Sequence, residues 1–360
     1  MFLLDPGVTY LNHGAFGACP EPVMQVFQGW QRELERQPAE FLVRRAPELL
    51  RESASALAAY VGAEDLVLIP NATVGMNMVA RSLPLDAGDV VLTTDHEYGA
   101  VDRLWELVCE RTGAELRRCE LRYPVVGDAD VIDAIAEGLD ERVRVVSISH
   151  ITSPTGLVFP IAEVCALARA AGALSVVDGA HGPGQLELSL SALGCDVYVG
   201  NCHKWLCAPK VAGFLYTRPG AEVTIDPLVV SWGWDEPTLA ARAEWQGTSD
   251  LSAYLSIPAA IDYVRAGGWH ERCVRDAAAL HERLVALPGV RPVGAMRRQM
   301  VAVEVPPELT EDQFRAQRIE VPVAPWRGRN LLRASVAPYT SHEDLDRLVG
   351  AVYQLSTARL

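Results

Sequence analysis

The sequence predicts an α/β protein: a mainly parallel sheet with helices on both faces, followed by a smaller α+β domain. Three observations carry this expectation. From about residue 64 to 217, short β-branched runs alternate with helical patterns roughly 10 to 12 residues long, the texture of strand–helix–strand units. The runs are continuously apolar rather than alternating, as suits strands buried on both sides. After about Asp250 the texture changes to one long helical stretch and then scattered strands.

In order, strands are expected at 66–69, 90–93, 143–148, 174–177, 197–199 and 212–216. Helices are expected at 74–83, 100–111 and 161–171. The stretch 252–287 reads as one long helix ending before Pro288-Gly289, because Pro and Gly stop helices. Strands follow at 300–303 and 331–335, then a last helix at 341–353. The expected division is 1–25 as an N-terminal segment packing with the small domain, 26–250 as the large domain, and 251–360 as the small domain.

Composition removes several classes of function. The 360 residues are 49% hydrophobic and 22% charged, with a formal net charge of -14. An acidic surface offers no basic stripe to nucleic acid or to an anionic membrane. No apolar run approaches the roughly 20 residues that span a bilayer. The first residues are neither long nor basic enough for a secretory signal, so a cytoplasmic location is expected. Eight cysteines form no CxxC pair and read as small core hydrophobes, so no metal site is expected.

Ligands of open parallel sheets bind beyond the carboxyl ends of the strands, so the residues there are the first candidates for chemistry. Asn201-Cys202-His203-Lys204-Trp205 puts a lysine just past an apolar strand. Held in such a place a lysine has a lowered pKa and forms a Schiff base; the plainer reading is a loop lysine. Val177-Asp178 ends the strand before it, 26 residues upstream of Lys204. A buried carboxylate needs a partner, and a protonated pyridine nitrogen is one; capping of the next turn is the plainer alternative. Pro70-Asn71-Ala72-Thr73 opens a helix directly after a strand. It suits an anion such as phosphate, although Asn71 or Thr73 as a simple helix cap explains it equally well. The turn lacks both GxGxxG and GxxxxGK[ST], so neither nicotinamide nor nucleotide is indicated. The order along the chain makes the case: phosphate turn, a ring-bearing strand end (His96 or Tyr98), Asp178, then Lys204.

In that order the chain resembles the aminotransferase class V group of fold-type I enzymes that use pyridoxal 5'-phosphate (PLP). Within it the chain is similar to the isopenicillin N epimerase-like branch. The matching stretches include Tyr10-Leu11-Asn12-His13-Gly14, Asp95-His96-Glu97-Tyr98-Gly99, Ser153-Pro154-Thr155-Gly156, Asp178-Gly179-Ala180-His181, His203-Lys204-Trp205, Gly247-Thr248-Ser249-Asp250 and Leu332-Arg333-Ala334-Ser335. They run from residue 10 to about 350. The resemblance implies a seven-stranded large sheet and a homodimer acting on an amino acid. It gives Lys204 the Schiff base and the Cα proton, Asp178 the ring nitrogen, and His96 (or Tyr98) the ring face. His181 and Ser153 match contacts to the ring or its phenolic oxygen. Ala72, Thr73 and His203 match phosphate contacts, and Thr248 a phosphate contact from the second subunit. Arg333 matches the residue that takes the substrate carboxylate. Asn12 and His13 are expected at the entrance, with a structural role for His13 equally open.

Two departures bear on the reaction. Cysteine desulfurases of this class carry a nucleophilic cysteine shortly before the carboxylate-binding arginine, and 321–330 has none, so sulfur abstraction is not expected. The chain is also short for the epimerase branch, which implies trimmed pocket loops. Phe16, Trp232, Trp234, Trp245 and Trp326 are candidates for the substrate wall or, equally, for core or interface packing. Epimerisation is the leading expectation, with aminotransfer or C–S lysis as the second and a non-catalytic PLP-binding module as the third.

Overall fold

The computed structural model describes residues 1–296 and 298–357. The chain opens with a two-residue strand, β1 (Thr9–Tyr10), and helices at Glu21–Arg36 and Ala46–Val61. Seven strands then build the large sheet: β2 (Val67–Ile69), β3 (Val90–Thr94), β4 (Glu115–Cys119), β5 (Val143–Ser149), β6 (Leu174–Gly179), β7 (Val197–Asn201) and β8 (Gly213–Thr217). Their order is β2-β8-β7-β6-β5-β3-β4. β3 to β7 run parallel, and β8 is antiparallel to both its neighbours. The fold is therefore the expected α/β class.

The apolar runs explain why the sheet is buried on both faces. Val90, Leu92, Val146, Ile148, Val177 and Tyr198 point into one core. Val91, Val145, Val176, Val197, Val199 and Leu215 point into the other. Successive strand residues face opposite sides, so a continuous β-branched run serves two cores at once. Parallel pairing also brings the carboxyl ends of β3, β5, β6 and β7 to one edge. Ser149 lies in register with Asp178, and Gly179 with Gly200.

A four-stranded antiparallel sheet follows: β9 (Arg291–Pro292), β10 (Met300–Glu304), β12 (Val323–Trp326) and β13 (Arg329–Ser335), in the order β12-β13-β10-β9. A short strand, β11 (Ile319–Glu320), pairs in parallel with β1. Among the described residues no helix is long and apolar enough to cross a membrane.

Several expectations need correction. The stretch 252–287 is three helices, Ser252–Leu255, Ile257–Gly267 and His270–Val285. Pro258 can only sit in a first turn, and Gly268 takes a left-handed conformation, φ 58°. The first two of these helices bury Ala253, Ile257 and Ile261 in the large core, whereas the small core begins at Cys273. The change of core therefore falls later than the expected 251. Strand β4 and helix Asp128–Gly138 lie in a region where no element was expected.

Candidate active site

Lys204 follows β7 on a loop that a glycine of the N-terminal segment clamps. Gly17 has φ 57°, and a Cβ there would meet the His203 carbonyl oxygen at 2.0 Å and Lys204 Cα at 2.8 Å. From the same segment, His13 Nε2 donates to the Lys204 carbonyl oxygen at 3.1 Å. His13 Nδ1 accepts the Ala18 N–H at 3.1 Å. Both ring nitrogens are spent and the ring is fully buried, so His13 fixes the backbone of the lysine loop rather than lining an entrance. Asn12 is buried beside it with Oδ1 lacking a hydrogen-bond partner among the described residues.

The Lys204 amine lies 3.2 Å from His181 Nε2. The Trp205 indole donates to His181 Nδ1 at 3.2 Å. An indole N–H can only donate, so a neutral His181 carries its proton on Nε2 and offers it to the lysine nitrogen. Burial holds the imidazole well below its ordinary pKa. Burial first, then the Arg333 charge, lower Lys204 to about 8, while Asp178 works the other way. Lys204 thus gives up its proton more readily than an ordinary lysine.

Asp178 is buried at the end of β6, and its Oδ1 accepts the Ala180 N–H at 2.9 Å. Burial raises its pKa, offset in part by that hydrogen bond and by Lys204. Arg333 reaches the same region from β13. Its Nη1 donates to the Ser153 carbonyl oxygen and contacts Ser153 Oγ at 3.2 Å, and its buried Nε has no partner among the described residues. Arg333 and Ser153 share a cavity of about 500 Å³ with Glu97, Tyr98, Asp102 and Trp326.

His96 is not on that wall. Its buried Nδ1–H donates to Asp95 at 2.7 Å, and its ring stands edge-on to Trp326 with centroids 4.7 Å apart. Tyr98, exposed at the start of helix Gly99–Thr112, lines the cavity instead. The Ala72 N–H is also taken, by Asn201 Oδ1 at 2.8 Å, so it is not free for a phosphate. Thr73 stays exposed at that helix start. His203 donates Nδ1–H to the Ala212 carbonyl oxygen at 3.1 Å, which leaves Nε2 as an acceptor in the neutral ring.

Thr248 is exposed between Gly247 and Ser249, both on the rim of a separate apolar hollow of about 740 Å³. Of the candidate wall aromatics only Trp326 lines the Arg333 cavity; Trp245 lines the hollow, and Phe16, Trp232 and Trp234 are exposed. Glu97 was missed by sequence reading. The available signal was an acid one residue beyond His96, on the strand end already under suspicion.

A model of the aminotransferase class-V family matches residues 9–348. This chain belongs to the aminotransferase class-V family. Isopenicillin N epimerase of Streptomyces clavuligerus is 36% identical over 98% of this chain and 96% of its own length. The enzyme of the same name from Amycolatopsis lactamdurans matches equally, at 36%, 98% and 96%. A probable chloroplastic L-cysteine desulfhydrase of Arabidopsis thaliana is 31% identical over 72% of this chain and 59% of its own length. In fold, the chain matches the cystine C-S lyase C-DES, with a TM-score of 0.86, 24% identity and coverage of 97% and 98%.

The cofactor of this class-V enzyme is PLP, and its residues fit that group. Asp178 is a buried carboxylate short of positive charge, which a protonated ring nitrogen provides. Lys204 is a lysine of lowered pKa whose amine is held by one oriented imidazole.

Proposed function

We propose that this enzyme is an amino-acid epimerase that removes and returns the Cα proton of its substrate. The observation that carries the reading is the convergence of Lys204, Asp178 and Arg333 from β7, β6 and β13. Arg333 binds the substrate carboxylate, using the Nη2 and Nε edge that Ser153 does not take. PLP, when bound, supplies an electron sink for the charge left at Cα. Lys204, its pKa lowered to about 8, takes the proton as general base in its neutral form, and His181 Nε2–H steadies its amine. Two relatives aligned along nearly their whole length support epimerisation over the other fates of the same proton. The cavity of about 500 Å³ gives room for a substrate much larger than cysteine. C–S lysis is the second reading, on the desulfhydrase likeness. No cysteine lines the cavity among the described residues, so sulfur transfer to an enzyme thiol lacks an acceptor there.

Proton NMR in D₂O over a panel of L- and D-amino acids tests this. Loss of the Cα proton signal with appearance of the opposite enantiomer is the expected result. Keto acid, or pyruvate with sulfide, in place of the enantiomer would overturn epimerisation in favour of transfer or lysis.

The working unit of this reading is a cytoplasmic homodimer. Exposed Thr248 completes the partner's phosphate site, and Val229, Val230 and Trp232, 92% exposed, lie in the segment leading to it. Eight buried, unpaired cysteines suit a reducing compartment. Sedimentation of the holoenzyme at assay concentration should give the dimer mass, and a fully active monomer would sink the assignment.

A further inference from the structure

Glu97 is a buried carboxyl group that none of the steps above uses. It sits just past β3, 6% exposed, on the floor of the Arg333 cavity. Thr94 Oγ1 meets one of its oxygens at 2.6 Å and Ser149 Oγ the other at 2.5 Å. Ser149 is the register partner of Asp178, so two carboxyl groups converge at neighbouring strand ends.

The charged groups that act on Glu97 are both acidic. Asp178 on β6 and Asp102 in the first turn of helix Gly99–Thr112 both disfavour its ionisation. None of the arginines of the cavity forms an ion pair with Glu97 among the described residues. Arg118 pairs with Asp102 and Glu106, Arg327 with Asp95 and Glu120, and Arg333 bonds Ser153. His96 donates to Asp95, and Tyr98 on the rim carries no charge to offer a carboxylate. Two like charges so close and so dry cannot both be ionised at modest cost.

We infer that Glu97 works as a neutral carboxylic acid and is a positioning residue that leaves Asp178 as the single ionised carboxylate available to the cofactor's ring nitrogen. The inference rests on the function proposed above and deepens it. One proton resides on Glu97, shared with the Thr94 and Ser149 hydroxyls, and Asp178 keeps its charge for the ring nitrogen. Burial first, with the two aspartates adding to it and the two hydroxyls opposing it, puts the midpoint for loss of that proton at about 8.

The test is infrared spectroscopy of the holoenzyme against pH, with Glu97→Gln as the subtraction partner. Absorbance of the cofactor alone would not serve, because Lys204 titrates in the same range. The expected result at pH 7 is a carbonyl band of a protonated carboxylic acid that the E97Q enzyme lacks. The band should bleach with a midpoint near 8. Ser149→Ala removes a hydrogen bond that favours the ionised form, so it should move the midpoint to higher pH. A role confined to packing would leave that midpoint in place. The neutral glutamine should also keep cofactor affinity at pH 7 within about tenfold, the upper size of one ordinary hydrogen bond. No acid band at pH 7, an unmoved midpoint in S149A, or a cofactor affinity more than about tenfold weaker in E97Q would each overturn the inference. The readout is a proton on one side chain rather than turnover. A holoenzyme that exchanges no Cα hydrogen would overturn the proposed reaction and still report the state of Glu97.

Discussion

Lys204→Ala is expected to lower turnover by about 10⁴-fold, the upper range for loss of a positioned general base. The variant removes a buried amine at this edge of the sheet whose pKa is lowered to about 8, and neither His181 nor Arg333 replaces it. His181, its neighbour at 3.2 Å, is held neutral by burial and carries its proton on the nitrogen facing the lysine, so it is a donor where a base is needed. Arg333, lowered only to about 10, stays charged. Loss of the side chain also leaves a gap into which a small amine can diffuse. Measured at saturating cofactor, activity should fall by that factor and recover in part with added methylamine. A variant that keeps more than a tenth of its activity would remove Lys204 from the mechanism and raise the non-catalytic binding module.

Asp178→Asn should cost about 10² to 10³ in kcat, the size seen when one preorganised electrostatic partner of a developing charge is lost. An amide cannot hold the ring nitrogen in its protonated state, so the electron sink weakens while binding survives. Stability should move the other way. Burial raises the Asp178 pKa in the folded chain, so over the interval between its unfolded and folded values the native state holds a proton that the unfolded chain has released. Unfolding stability of the cofactor-free protein therefore falls as pH rises through that interval. The asparagine variant keeps an oxygen for the Ala180 N–H and carries no such slope. Thermal melts of both cofactor-free proteins at pH 5 and pH 8 should show the variant gaining on the parent at the higher pH. Equal melting shifts at both values would contradict the buried, charge-poor setting of Asp178.

What the sequence disclosed was the set of features with strong local grammar. The β-branched runs ending in Asp178 and near Lys204 marked two adjacent strand ends, because burial on both faces leaves an unmistakable composition. Strand β4 was hidden because it is an edge: Glu115, Arg117 and Arg118 face solvent partners, and a charged edge strand looks like a loop. His96 and Tyr98 could not be separated by eye. They sit two residues apart past a strand end, and only the packing of Trp326 against His96 decides which ring turns inward. His13 illustrates the same limit, since its burial depends on Tyr339 and the lysine loop, far away along the chain. Glu97 escaped because its meaning lies in two hydroxyls and an aspartate from other strands.

Arg333 and Trp326 come from the four-stranded sheet, whereas Lys204, Asp178 and Glu97 come from the seven-stranded one. Under the proposed function, recognition and proton chemistry therefore rest on separate sheets. Substitutions along the hairpin of β12 and β13 can redraw the shape of the acceptable side chain while Lys204, Asp178 and Glu97 stay untouched. On that reading a change of substrate comes from the small sheet, and the groups that move the proton stay as they are.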